Sequence, residues 1–232
     1  MSHSRLALYF APSATSDVSC RSNQWLGRDA IEDRVLGQPD IPGLGSDRMA
    51  NITASPRHYG FHATLKAPFQ LAIGTDEKGL LAAVEHFASQ RRGFSMRLRL
   101  GELSGFLALL PDGDDDEICA LAADCVEIFD PWRMPESKAD IARRVASGLT
   151  DRQETLLRRW GYPHVMGEFR FHMTLTSRLE DLADRASVQT ILAEHLGRAL
   201  DMPIAIDAVS VFRQESRAAP FSRIARFPFN GT

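Results

Sequence analysis

The sequence predicts an α+β domain of two pseudo-symmetric lobes, built from antiparallel sheets with flanking helices. Three observations carry that expectation. The motif Phe61-His62-Ala63-Thr64-Leu65 returns nearly unchanged as Phe171-His172-Met173-Thr174-Leu175. The copies lie about 110 residues apart, a plausible size for half of a duplicated domain. Strand-like and helix-like stretches are scattered, with two hairpin-like pairs, which favours antiparallel sheets over a doubly wound one. Finally, 232 residues with 44% hydrophobic content can bury a core, so the chain reads as a single domain over 1–232. Its motif lobes are expected at 56–70 and 168–178, with a helical insertion at 137–160.

In chain order, residues 5–10 (Arg-Leu-Ala-Leu-Tyr-Phe) read as a central strand ended by Pro12, because the run is apolar and rich in strand formers. Ser16 is a candidate N-cap for a helix through Trp25 and Leu26. A loop with Pro39, Pro42, Gly43 and Gly45 follows. Residues 46–54 read as a short helix, broken by Ser55-Pro56 before the first motif strand. Leu80, Leu81, Val84 and Phe87 share a helical face within 76–90. Residues 94–100 alternate as a half-buried strand, with 106–110 as hairpin partner. The acidic run 112–117 reads as a solvated helix start, favoured by the macrodipole; it lacks the following spacing of a calcium loop. That helix is expected to reach Phe129. Residues 137–160 read as helical and basic, with Thr150 and Gln153 as a capping box. A helix over 179–200 and a strand pair, 204–212 with 221–229, complete the chain.

Composition narrows the function. A net charge of −3 argues against a bulk nucleic-acid binder. Cys20, Cys119 and Cys125 form neither a metal spacing nor an even framework, so they read as reduced thiols of a cytoplasmic protein. No run approaches the ~18 apolar residues of a membrane span. The sequence is silent on oligomeric state.

Within the motifs, alternation explains the residue types. In a strand, residues i and i+2 share a face. His62 and Thr64 then line one side while Phe61, Ala63 and Leu65 enter the core; His172 and Thr174 repeat this against Phe171, Met173 and Leu175. Extending the period adds His58, Gly60 and Lys66 to the first polar face, and Glu168, Arg170 and Thr176 to the second. Lys66, Arg170 and Thr176, with the neighbouring Tyr59, form the candidate substrate-binding set.

Two histidines near neutral pH can act as base and acid, one taking a proton while the other gives one. Phosphodiester cleavage needs both, on opposite sides of the phosphorus. Threonine hydroxyls can hydrogen-bond the non-bridging oxygens, holding the phosphate between the imidazoles. A metal site is the competing use. A catalytic zinc takes three protein ligands, and His58 and His62 find no third nearby. The chain also has no Gly-x-Ser-x-Gly elbow, no P-loop and no dinucleotide fingerprint, so neither metal nor cofactor is expected.

Paired His-x-Thr motifs resemble the 2H phosphoesterase superfamily. The wider stretches 57–69 (Arg-His-Tyr-Gly-Phe-His-Ala-Thr-Leu-Lys-Ala-Pro-Phe), Gly161-Tyr162-Pro163 and 168–176 resemble its branch encoded beside carbon–phosphorus lyase genes in phosphonate-utilisation operons. This resemblance implies a two-lobed fold with one motif per lobe, and His62, Thr64, His172 and Thr174 as catalytic residues. It further implies a metal-independent hydrolase opening a small cyclic phosphate, a phosphoribosyl cyclic phosphate yielding ribose bisphosphate. Two alternatives stand beside it: an RNA-end enzyme for 2′,3′-cyclic phosphates or 2′,5′ linkages, and a non-catalytic phosphate-ligand binder of the phosphonate machinery.

Overall fold

The computed structural model describes residues 4–231. It is α+β, with seven α-helices and small antiparallel sheets among the described residues, and no closed barrel. Strand β1 (Arg5–Phe10) is buried on both faces. Leu6, Leu8 and Phe10 enter the main core, while Ala7 and Tyr9 join a smaller cluster with Ala30, Phe212 and Phe221. Helix α1 (Asp17–Leu26) is capped by the Ser16 hydroxyl, which accepts from the Ser19 N–H, and it closes on a left-handed Gly27. A two-residue ribbon, β2 (Arg28–Asp29) and β3 (Arg34–Val35), begins the expected loop.

Helix α2 (Ser46–Tyr59) departs from the sequence expectation, because it runs straight through Pro56. A proline inside a helix removes the hydrogen bond to the carbonyl four residues back. Here that carbonyl, on Ile52, accepts the Ser177 N–H instead, and the Ser177 hydroxyl accepts the Ser55 N–H. The second motif's segment thus supplies what the proline withholds. It also places His58, expected on the motif strand, in this helix.

Strand β4 (Ala63–Phe69) carries the first motif. Helix α3 (Glu77–Ser89) follows, capped by Asp76. The alternating stretch after it is two strands, β5 (Phe94–Met96) and β6 (Leu98–Leu103), and β7 (Phe106–Pro111) pairs with β6 as a hairpin. Helix α4 (Asp116–Ile128) ends at Phe129 as its sequence indicates. The expected insertion divides into α5 (Lys138–Val145) and α6 (Asp151–Trp160), separated near a left-handed Gly148. The Thr150–Gln153 capping box is formed. Strand β8 (Met173–Thr174) carries the second motif, and helix α7 (Leu182–Leu196) follows. The chain then gives β9 (Ile204–Ile206), β10 (Ala208–Gln214) and β11 (Ser222–Pro228).

The main sheet has the order β11-β10-β1-β4 and the second β6-β7-β8, so each motif strand lies at a sheet edge rather than in the middle. Strands β5 and β9 pair with each other, Phe94 opposite Ile206. Two long strands therefore break, around Arg97 and Asp207, and lend their first halves to a shared ribbon. One cluster of buried side chains extends from Leu8 and Leu65 through Leu107 and Leu175 to Leu192. No helix among the described residues is long and apolar enough to cross a membrane.

Candidate functional site

The two motifs have the same burial along their length. Phe61, Ala63 and Leu65 are buried as Phe171, Met173 and Leu175 are, while both histidines and both threonines stay partly open. Burial of the apolar members fixes each strand's face, and the polar members follow from that. In each copy the imidazole is oriented alike. Nδ1–H of His62 donates to the Gly60 carbonyl at 2.9 Å, and Nδ1–H of His172 to the Arg170 carbonyl at 2.7 Å. A carbonyl can only accept, so in the neutral ring Nε2 carries the lone pair. His62 Nε2 accepts from the Thr64 hydroxyl at 3.2 Å.

Register places Tyr9 opposite Thr64. The Tyr9 ring stacks on His62 with centroids 3.8 Å apart and planes 25° apart. Tyr59 lies 6.3 Å from His62 and stacks on Phe221. Tyr162 is close enough to Tyr9 and Tyr59 for their charges to couple. Tyr9 and Tyr59 thus flank His62, with Tyr162 near both of them. Burial among these rings, with a smaller push from His172, drives the His62 pKa down to about 4. Burial also lowers that of His172, assisted by His164 and opposed by the Arg170 carbonyl. Both imidazoles are neutral at neutral pH.

Two cavities meet at this point. The first, about 360 Å³, is walled by Thr64, Tyr162, His164, Phe169 and Arg170 among others. The second, about 330 Å³, contains His62, Tyr59, Thr174 and Arg178. Phe106 and His172 line both, so the cavities adjoin and together form the groove along which the four motif side chains are distributed.

The remaining sequence candidates divide. Arg170 lines the first cavity, with Nη1 donating to the Gly167 and Phe169 carbonyls. Tyr59 lines the second. Thr176 touches that cavity, but it is buried and its hydroxyl accepts the Leu107 N–H, which fixes β7 against the motif strand. Lys66 is 3% exposed and points away from the groove's two cavities. Its Nζ donates to the Val126 carbonyl at 2.9 Å and lies 3.8 Å from Asp130. The cause is a bulge: Tyr9 faces Thr64 while Leu8 faces Lys66, so the strict alternation fails between those residues. His58 bonds Gln214 rather than the motif. Tyr9, Phe106, His164 and Arg178 were not singled out by sequence, and Tyr162 entered only within the Gly161-Tyr162-Pro163 stretch of the resemblance. His164 and Arg178 lie within eight residues of the second motif, which is the one signal available; Tyr9 and Phe106 arrive only through strand pairing. Among the described residues, the carboxylates close enough to share a cation are Asp114, Asp115 and Asp116. Asp114 and Asp115 border a different cavity, with Phe94 and Met96.

Comparison with known proteins gives the groove a context. Ribose 1,5-bisphosphate phosphokinase PhnN of Janthinobacterium sp. (strain Marseille) is 40% identical over 99% of this chain and 52% of its own length. The protein of the same name from Laribacter hongkongensis (strain HLHK9) is 33% identical over 94% of this chain and 50% of its own. The chain spans about half the length of these curated relatives. A solved structure of a conserved protein of unknown function from Agrobacterium tumefaciens str. C58 aligns with a TM-score of 0.44 at 12% identity, over 97% of this chain and 86% of that one. The names of the two relatives correct the expectation of a hydrolase. A phosphokinase is a phosphoryl transferase, so the reading as a cyclic phosphodiesterase is replaced, and the RNA-end alternative with it. The physical reason is that paired imidazoles and hydroxyls describe how a phosphate is held, and leave open what attacks it. A family model described as "Protein of unknown function (DUF1045)" matches residues 64–222, which include Thr64, His172 and Thr174 and begin just after His62. Because that match covers more than half of its length, the chain belongs to the DUF1045 family.

Proposed function

We propose that this chain is the phosphosugar-holding part of a ribose 1,5-bisphosphate phosphokinase system serving phosphonate utilisation. The observation that carries the reading is the convergence of both His-x-Thr pairs on one groove, each imidazole locked through Nδ1. The relatives' names supply the ligand class: a ribose bearing phosphates. The groove's hydroxyls, from Thr64 and Thr174, donate to phosphate oxygens. The imidazoles become donors once an approaching anion raises their pKa, since an opposite charge nearby favours the charged form. A phosphate held this way is positioned for transfer, which is most of what catalysis of phosphoryl transfer requires. The chain has no P-loop, so the nucleotide donor is assigned to the other half of the longer relatives. The resemblance to the 2H superfamily then concerns scaffold and phosphate grip, not reaction.

Titration calorimetry with ribose 1,5-bisphosphate tests this. The chain should bind it, unphosphorylated ribose should not bind, and His62→Ala and His172→Ala should each weaken binding on the order of tenfold or more, as for hydrogen bonds to a charged group. Substituted for the matching half of the Janthinobacterium protein, the chain should support ATP-dependent phosphorylation of the same sugar. Absence of binding, or binding indifferent to both substitutions, would overturn the reading.

A further inference from the structure

We propose that the groove is a two-anion site, in which Arg178 holds one phosphate of a bis-phosphorylated sugar and Arg170 with His164 hold the other. The sugar itself lies across His172. This rests on the phosphosugar reading above and names how that ligand is oriented.

The charge balance of the groove requires it. Thr64 and Thr174 are neutral, and so are both motif imidazoles before a ligand arrives. Even when both imidazoles are protonated by one phosphate between them, a second phosphate needs cations of its own. The permanent cations, Arg170 and Arg178, stand at opposite ends. Arg170 and His164 line the first cavity, Arg178 the second, and only His172 and Phe106 belong to both.

Each end is built to keep its cation available. Arg178 lies against the turn between β6 and β7, where Gly105 has φ +89°; a Cβ there would come within 2.9 Å of the Arg178 Nε. The glycine therefore serves both the turn and the side chain over it. The same turn's Leu179 N–H to Gly105 carbonyl bond, 2.7 Å, fixes the arginine's segment. Arg178 pairs with Glu180 at 3.2 Å, both side chains being well exposed. Such a pair is weak, and a phosphate that takes the guanidinium bidentately displaces it. At the other end, Arg170 spends Nη1 on two carbonyls. His164 meets Tyr162 edge-on at 5.6 Å and is near enough to His172 to oppose its protonation. The carboxylate in that cavity, Glu168, is occupied by Arg152 at 3.3 Å and by Gln153 at 3.1 Å.

The test compares ribose 1-phosphate, ribose 5-phosphate and ribose 1,5-bisphosphate by calorimetry. The proteins are the unaltered chain, Arg178→Gln, and the double variant His164→Gln with Arg170→Gln. Each variant should lose on the order of tenfold or more in affinity for the bisphosphate, as expected when a charged hydrogen bond is removed. Against the monophosphates they should act oppositely: the ester weakened by one variant should be bound normally by the other. If both variants weaken the same monophosphate, or neither alters the bisphosphate, the two-anion site is wrong. Should His62→Ala and His172→Ala still abolish bisphosphate binding in that case, the phosphosugar reading survives it. Failure of the unaltered chain to bind any of the three removes both.

Discussion

Gly60 shows how one residue can serve the fold and the site together. Its φ of +81° and ψ of 176° lie in a region nearly closed to side chains. Its carbonyl holds His62 Nδ1–H, and its α-carbon rests against Ala30, where an added Cβ would come within 2.2 Å of that methyl group. Gly60→Ala should cost on the order of 3 kcal/mol through strain and overlap. Thermal unfolding should record a fall in Tm on the order of 5–10 °C at this chain length. An unchanged Tm would mean that the backbone relaxes freely there, and that the His62 anchor is softer than described. The sequence made the His-x-Thr pairs legible because their chemistry is local and repeated. It could not reveal the conformation of Gly60, whose neighbour Ala30 is thirty residues away, nor Tyr9 beneath His62, which depends on strand pairing.

Between elements, the contact least visible in sequence is Lys66. Alternation puts it beside Thr64; the bulge in β4 turns it instead toward α4, where it meets Val126 of that helix and Asp130 just beyond its end. Burial lowers its pKa to about 8, although Asp130 pulls the other way. Asp130 is also bonded by Arg133 at 2.9 Å, so removal of the lysine leaves no orphaned carboxylate. Replacing a buried charge by an apolar side chain of similar volume is often neutral or stabilising. Lys66→Met should therefore leave the denaturation midpoint unchanged or higher, and phosphosugar affinity within about twofold, well under the 1.4 kcal/mol of a tenfold change. A large loss of affinity with stability intact would return Lys66 to the groove. Helices were legible where caps and periodicity agree, as in α1, α3 and α6. Helix α2 was not, since the local rule that proline ends a helix was overridden by Ser177, a partner more than a hundred residues away. Short strands such as β2 and β3 leave too little pattern to read.

For the whole molecule, pH is the simplest probe. His62, His172 and His58 all titrate below their ordinary value, each chiefly because burial disfavours the charged ring. Between the unfolded value of 6.5 and about 4 for His62, the unfolded chain binds more protons than the folded one. Stability must then rise with pH across that window and be lost as pH falls through it. For His62 alone, packed by Tyr9 and Tyr59 and facing His172, the loss is on the order of 2 kcal/mol, allowing for its partial exposure. Denaturant midpoints measured from pH 7 to pH 4 should fall, and His62→Gln should flatten that slope; an equal slope in the variant would assign the effect to other groups. The α+β class was legible from element order alone, because local patterns suffice for it. The position of the motif strands at sheet edges was not, since edge and centre differ in neighbours that only the folded chain brings together.

The pairing of β1 with β10 also decides when the groove can exist during synthesis. Two of the four strands in the first motif's sheet, β10 and β11, are made well after it. The ribbon of β5 with β9 has the same long wait. Strand β4 can pair with β1 as soon as both are made, but the opposite edge of β1 stays open until β10 emerges. Until then that edge of β1 is a row of unpaired backbone groups, the kind of edge that invites pairing with another chain.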